Sequence, residues 1–442
     1  MDAVFIFLLA SCFIAVMFTG YPVAFVLGGV AVAFAALGTL LDSFAVVDAD
    51  MASLRMVNFV ANRIFDALSS YSLIPMSMFI FMGLMLDKSG AAERLLTQMH
   101  RLLRPVPGGM AVAVVAIGVI LAASTGIIGA SVVLLATIAM PAMRAAGYRD
   151  TIGLGVVGAT GCLGILIPPS IMLIVMGDQL QIPVGDLFRG AVLPGFLLAT
   201  AYVIYVIVYA VFNSEAAPAL ARPKKQPLVA LVRELTSTLI GPLLLIVAVL
   251  GSIVFGIATP TEASGIGAAG ATLLALSSGR LSWATFREVC DETALTTAFL
   301  FGLIFGASCF SVVLRGYGGD ELIEGALFAL PLSADGTLIF ILFVVFLMGF
   351  FLDWMEIILI VAPLVFPVLL SLGHEPAWAA ILMAICLQTS FLTPPVGMAL
   401  FYLSNSVENV EIGTIYRAVL PFIAIQAGIL VLAFLLPRMV LW

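Results

Sequence analysis

Gly164-Ile165-Leu166-Ile167-Pro168-Pro169 and Phe391-Leu392-Thr393-Pro394-Pro395-Val396-Gly397 lie at matching places in the two halves of a 442-residue chain. Each is an apolar stretch interrupted by two consecutive prolines. Proline removes a backbone N–H and its ring collides with the preceding turn, so a helix breaks there. Within a bilayer each unpaired backbone group costs several kcal/mol, which restricts unwound chain to places that face protein or a wet cavity. Paired breaks in corresponding positions point to the midplane binding site of a secondary transporter.

Composition agrees with that reading. Hydrophobic residues make up 63% of the chain and charged residues 10%, too few to clothe a water-soluble surface. A net charge of −7 without a basic patch argues against nucleic-acid binding. The five cysteines are dispersed singly and only His100 and His374 occur, so no metal-ligand spacing exists. No GxSxG, HExxH or Walker loop is present, and neither an enzyme nor an ATP-hydrolysing pump is expected. The chain starts Met1-Asp2 with no basic region, so Val4 to Phe18 reads as a retained span.

Bilayer-spanning apolar runs are expected near 3–19, 22–41, 71–86, 151–177 and 190–212. The second half offers 236–256, 259–278, 293–313, 377–403 and 416–440. Two longer stretches, 108–142 and 336–371, carry small or polar residues near their middles: Ser124-Thr125-Gly126 in one, Gly349 and Asp353 in the other. Each reads as a re-entrant hairpin. With the N-terminus outside, thirteen of the Lys and Arg residues fall in cytoplasmic loops and five (Arg55, Arg63, Arg189, Arg315, Arg438) outside, as the positive-inside bias requires. Treating either hairpin as a full crossing spoils that distribution.

The expected fold is an all-α polytopic membrane protein of two inverted-topology repeats, 1–212 and 236–442, joined by a polar cytoplasmic linker at 213–235. Each repeat holds about five spans, a re-entrant hairpin and a broken helix (151–177 and 377–403). Pro22 and Pro260 open the second span of each half, with Gly29 and Gly267 seven residues on. Residues 42–66 mix charged and apolar positions, as a helix lying on the membrane or an arm docking a partner would.

Proline frees a carbonyl about a turn earlier, and glycine permits close backbone approach. Freed carbonyls with one or two hydroxyls make an oxygen cage for an alkali cation. Ser124, Thr125 and Gly126 beside Gly164 to Pro169 would form one cage. Ser390, Thr393 and Val396, closed by Gly349, would form the other. Isolated Ser or Thr in a helix also bonds back to its own backbone, and that alternative stands for each hydroxyl. Asp353 is suited either to capping the second hairpin arm or to assisting a cation or proton.

These residues resemble a known family. Gly108-Gly109-Met110-Ala111-Val112-Ala113, Ala122-Ala123-Ser124-Thr125-Gly126, Pro141-Ala142-Met143 with Gly147-Tyr148, and Gly164 to Ser170 look like the large membrane subunit of tripartite ATP-independent periplasmic (TRAP) transporters, the DctM-like family. Ala258-Thr259-Pro260-Thr261-Glu262-Ala263 and Leu392 to Gly397 agree in the second half. The resemblance implies an ion-transporter-superfamily, elevator-type architecture in a bacterial inner membrane. It also implies sodium-coupled import of an organic acid anion (a carboxylate, keto acid or sugar acid). The expected partners are a separate small four-helix membrane subunit (Q type) and a periplasmic substrate-binding protein (P type). It maps one Na+ site onto Thr125, Gly164, Ile167 and Pro169, and another onto Ser390, Thr393, Val396 and Gly349. Ile127 and Ile128 stand where many relatives carry serines. The runner-up is a stand-alone sodium- or proton-coupled carboxylate transporter without a binding protein.

Overall fold

The computed structural model describes residues 2–43, 57–125, 128–219 and 228–442; side chains at 122–125, 228–238 and a few other positions lie outside the description. Gly126, Ile127, residues 44–56 of the mixed segment and 220–227 of the linker therefore fall outside it, as do the Ser124 and Thr125 side chains. The described residues form helices and their connections. The first half comprises α1 (Asp2–Met17), α2 (Val23–Ser43), α3 (Val57–Ser69), α4 (Ile74–Lys88), α5 (Ala91–Leu103), α6 (Gly109–Thr125), α7 (Ile128–Ala145), α8 (Asp150–Cys162), α9 (Ile171–Leu180) and α10 (Val184–Phe212). The second comprises α11 (Leu228–Val254), α12 (Pro260–Ser277), α13 (Trp283–Gly316), α14 (Gly319–Phe328), α15 (Ala334–Met348), α16 (Trp354–Glu356), α17 (Ala362–Ser371), α18 (Pro376–Leu392), α19 (Met398–Ser406) and α20 (Ile412–Leu435).

Helix is the form in which an apolar segment satisfies its own backbone away from water. Starts are set by local chemistry. Thr259 and Glu262 make a capping box at α12, where the Thr259 N–H donates to the Glu262 carboxylate at 2.8 Å. Ser282, Ser333 and Glu375 cap α13, α15 and α18 with side-chain oxygens. Among the described residues, six helical stretches are long and apolar enough to cross a membrane, two of them (Ile128–Ala145 and Trp354–Ser371) in the expected hairpins, or seven if α3 and α4, bent by 53° at their junction, form one span. Expected spans also occur, among the described residues, as shorter apolar helices, such as α1 and the pair α8 and α9 that the first break divides. Phe25, Leu244, Val247 and Leu273 are mostly exposed, an outer surface suited to lipid.

Packing is reciprocal between the halves: α2 lies on α13, and α12 lies on α4. Small residues permit both contacts. A Cβ on Gly306 of α13 would strike the backbone of Ala24, and one on Gly267 of α12 would lie 2.7 Å from Met82 Sδ. The Tyr317 hydroxyl, just past α13, donates to the Phe34 carbonyl of α2 at 2.9 Å. The exchange recurs further in, where α8 packs on α20 and α18 on α10.

Residues 109–145 fold as two antiparallel arms. A Cβ on Gly118 would lie 3.3 Å from Leu135 Cδ1, and the Tyr148 hydroxyl accepts from the Met110 N–H at 3.1 Å, which brings both ends together. Residues 334–371 do the same, with His374 Nε2 3.1 Å from the Ala334 carbonyl. The second arm of this hairpin contains a π-helical segment, Ile357–Val361, between α16 and α17.

Candidate functional site

Two breaks and two hairpins define the site. In the first break, α8 tightens into a 3₁₀ turn at Leu163–Ile165, and the chain turns through 166–170 before α9. Pro168 and Pro169 have no N–H to offer the carbonyls of Gly164 and Ile165 four residues back. Ile165 regains a partner, because the Ser170 hydroxyl donates to its carbonyl at 2.6 Å; the same oxygen caps α9. The 3₁₀ turn touches both arms of the first hairpin. Gly164 therefore carries a released carbonyl at the place where hairpin and broken helix meet. The Ile167 side chain packs against α10, where a Cβ on Gly195 would lie 3.0 Å from its Cγ1.

The second break is compact. Helix α18 ends at Leu392, and 393–397 turn into α19. The Thr393 N–H donates to the Ser390 carbonyl at 3.0 Å, and the Gly397 N–H to the Thr393 carbonyl at 3.1 Å. A Cβ on Gly397 would meet the carbonyl oxygens of Phe391 at 2.5 Å and Thr393 at 2.8 Å, so this turn accepts only glycine there. The Tyr416 hydroxyl of α20 closes the outside of the turn, donating to the Pro395 carbonyl at 2.7 Å. Val396 is half-buried in the same turn. Both Pro-Pro peptide bonds, 168–169 and 394–395, are cis.

The hydroxyls at this break have defined roles. Ser390 donates to the Phe346 carbonyl of α15 at 2.6 Å, and Thr393 donates to the Thr389 carbonyl at 2.6 Å. Thr393 thus bonds back to its own helix, whereas Ser390 ties the broken helix to the hairpin. With the proton engaged, each hydroxyl oxygen keeps lone pairs for an incoming cation. Gly349, at the end of the first arm, sits directly over Ser390: an added Cβ would lie 2.6 Å from Ser390 Oγ and 2.9 Å from its Cβ. Gly349, Ser390, Thr393 and Val396 are thereby brought into one neighbourhood.

Asp353 caps the short α16, its Oδ1 accepting from the Trp354 N–H at 2.8 Å. Glu356, one turn on, is buried with one carboxylate oxygen lacking a hydrogen-bond partner among the described residues. Tyr402 of α19 packs on the first hairpin, its ring 2.8 Å from where a Cβ on Gly129 would stand.

Sequence reasoning missed a polar cluster inside this assembly. The Tyr202 hydroxyl of α10 accepts from Gln426 Nε2 of α20 at 2.9 Å, and Gln388 of α18 lies beside it, fully buried. Thr160 of α8 is also buried, its hydroxyl without a partner among the described residues. A polar Gln next to Thr389 and Ser390 in an apolar helix was the available signal. Its partners are too distant in sequence to be paired by inspection.

The model of the DctM component of the tripartite ATP-independent periplasmic transporters matches residues 10–439. The C4-dicarboxylate TRAP transporter large permease protein DctM of Pseudomonas aeruginosa is 31% identical over 382 residues, covering 86% of this chain and 88% of that one. The isethionate TRAP transporter permease protein DctMQ of Oleidesulfovibrio alaskensis is 30% identical over 419 residues, 95% of this chain and 64% of that protein. Among solved structures, the Alcanivorax borkumensis YdaH transporter shares the fold with a TM-score of 0.64 at 15% identity, covering 94% of this chain and 96% of that one.

Proposed function

Since the chain belongs to the DctM family of tripartite ATP-independent periplasmic transporters, we propose that it is the large permease of a sodium-coupled importer of an organic acid anion. It works in a bacterial inner membrane with a small four-helix subunit and a periplasmic binding protein that delivers the substrate. The relatives named for C4-dicarboxylates and for isethionate support an anionic substrate. Sodium is the coupling ion and is carried with it.

One observation carries this reading: a glycine at the end of a hairpin arm is pressed onto a serine of a broken helix, beside a threonine whose proton is already engaged. Oxygens held as acceptors on unwound backbone suit a dehydrated alkali cation. Ser390, Thr393 and the Val396 carbonyl are assigned to one Na+ site under Gly349. Ser124, Thr125, Gly126, Gly164, Ile167 and Pro169 are assigned to the other, with Asp353 in support. The two halves act as inverted repeats. Hairpins and broken helices move as an elevator against α2, α4, α12 and α13, whose reciprocal packing suits a fixed scaffold.

Uptake into proteoliposomes holding the chain and its small subunit, with a binding protein loaded with succinate or isethionate, tests this directly. Uptake that needs both an inward sodium gradient and the binding protein is expected. Sodium-driven uptake without the binding protein would establish a stand-alone carrier instead, and gradient-independent equilibration would establish a passive pore.

A further inference from the structure

A small polar cavity of about 80 Å³ lies away from the two breaks, where four elements meet. Arg63 of α3, Gln179 of α9, and Ser308, Ser311 and Arg315 of α13 line it, with Leu359 and Pro363 of the second hairpin as its apolar wall. Arg315 is in the last turn of α13 and Gln179 near the end of α9. By the charge-placement topology both ends face outward. Neither guanidinium has an ion-pair or hydrogen-bond partner among the described residues. The neighbouring carboxylate of Asp178 is already held, accepting from the Ser70 hydroxyl at 2.6 Å and from Gln179 Nε2 at 3.0 Å.

Arg63 and Arg315 are both exposed, so water screens their mutual repulsion, but both line one cavity and their fields add inside it to favour an anion. Guanidinium groups present forked donors that match the two oxygens of a carboxylate or sulfonate, and serine hydroxyls can donate to a further oxygen. The volume is far below the roughly 300–1,000 Å³ of a whole-ligand pocket. It suits one anionic head group, with the remainder of the acid outside. The walls also come from both sides of the proposed movement, α13 from the scaffold and the second hairpin from the moving unit.

We propose that Arg63 and Arg315, with Ser308 and Ser311, form an entry station that receives the carboxylate or sulfonate of the substrate on the outer side, before the hairpins carry it inward. This rests on the organic-anion importer reading above. Because α13 and the hairpin both line the cavity, displacement of the hairpin removes one wall and releases the anion in the direction of transport.

Two measurements test the station. The first is labelling of the purified permease by phenylglyoxal, an arginine reagent, read residue by residue by mass spectrometry. Succinate and isethionate should slow labelling of Arg63 and Arg315 together, and uncharged succinamide should not. Exposed Arg417, in the cytoplasmic half by the same topology, is the control. In Arg63→Gln the protection of Arg315 should disappear. Equal labelling with and without the anions, or equal protection at Arg417, overturns the proposal. The second is uptake: Arg63→Gln and Arg315→Gln should each raise the half-saturating substrate concentration about tenfold with an unchanged sodium response. Arg315→Lys, which keeps charge without the fork, should recover part of the loss. If wild-type protein shows sodium-driven uptake and these variants match it, the station fails while the importer reading stands. If the arginines are protected but no sodium-driven uptake occurs, the importer reading fails while the anion site stands.

Discussion

Gly349→Ala isolates the contact on which the proposed second sodium site depends. The added methyl would lie 2.6 Å from Ser390 Oγ, so reaching an ordinary contact of about 3.5 Å requires the hairpin to retreat by roughly 0.9 Å. Ser390 has little freedom to give way instead, because its hydroxyl donates to Phe346 at 2.6 Å and its backbone is buried in α18. Overpacking of this kind costs about 1–3 kcal/mol, and ligand sets tolerate displacements of only about 0.5 Å. If that cost falls on the closed, cation-bound arrangement, the half-saturating sodium concentration should rise by roughly 5- to 150-fold. A sodium titration of uptake in proteoliposomes reads this, with a detergent melting curve to show that the variant remains folded. A folded variant with wild-type sodium response would refute the idea that hairpin and broken helix close on the ion at this point.

Thr393→Val keeps the side-chain shape but removes the oxygen, and should weaken sodium dependence about tenfold; an unchanged titration would remove Thr393 from the site. Pro168→Ala with Pro169→Ala restores the N–H groups that Gly164 and Ile165 lack, so α8 should extend toward α9 and uptake should collapse. Normal uptake by that double variant would show that the first break is dispensable. Asp353→Asn preserves a cap for the Trp354 N–H but removes the charge, whereas Asp353→Ala forfeits about 1 kcal/mol of capping. Normal sodium response in the Asn variant with lowered thermal stability in the Ala variant would assign Asp353 to capping, and loss of sodium response in both would assign it to the cation.

The breaks at 166–170 and 393–397 were legible because proline announces its missing donor in the sequence itself. Gly349 was legible only as a small residue in a long apolar stretch; that it presses on Ser390 depends on how two helices lie together. The π-helical segment Ile357–Val361 left no trace, since Ile-Ile-Leu-Ile-Val is equally apolar in any helical register. Nor did α5 or α14 emerge from bilayer-length apolar runs, since both are shorter than a span; the signal of α5 lies instead in its amphipathic spacing. The polar cluster of Tyr202, Gln388 and Gln426 and the Arg63–Arg315 cavity share one reason for being hidden. Each joins residues from both halves of the chain, and pairing them requires the tertiary packing that the pattern of single helices does not encode.

The exchange of partners between halves has a consequence for how the protein is made. With α2 resting on α13 and α4 on α12, neither half owns a complete set of neighbours. When synthesis has reached the linker, the emerged helices present seams that their later counterparts must fill, so assembly is governed by contacts of long sequence separation. A gene cut within that linker should yield two fragments that are each unstable alone yet recover uptake when produced together. On that outcome the exchanged packing would act as a clasp, each half shielding the other from degradation.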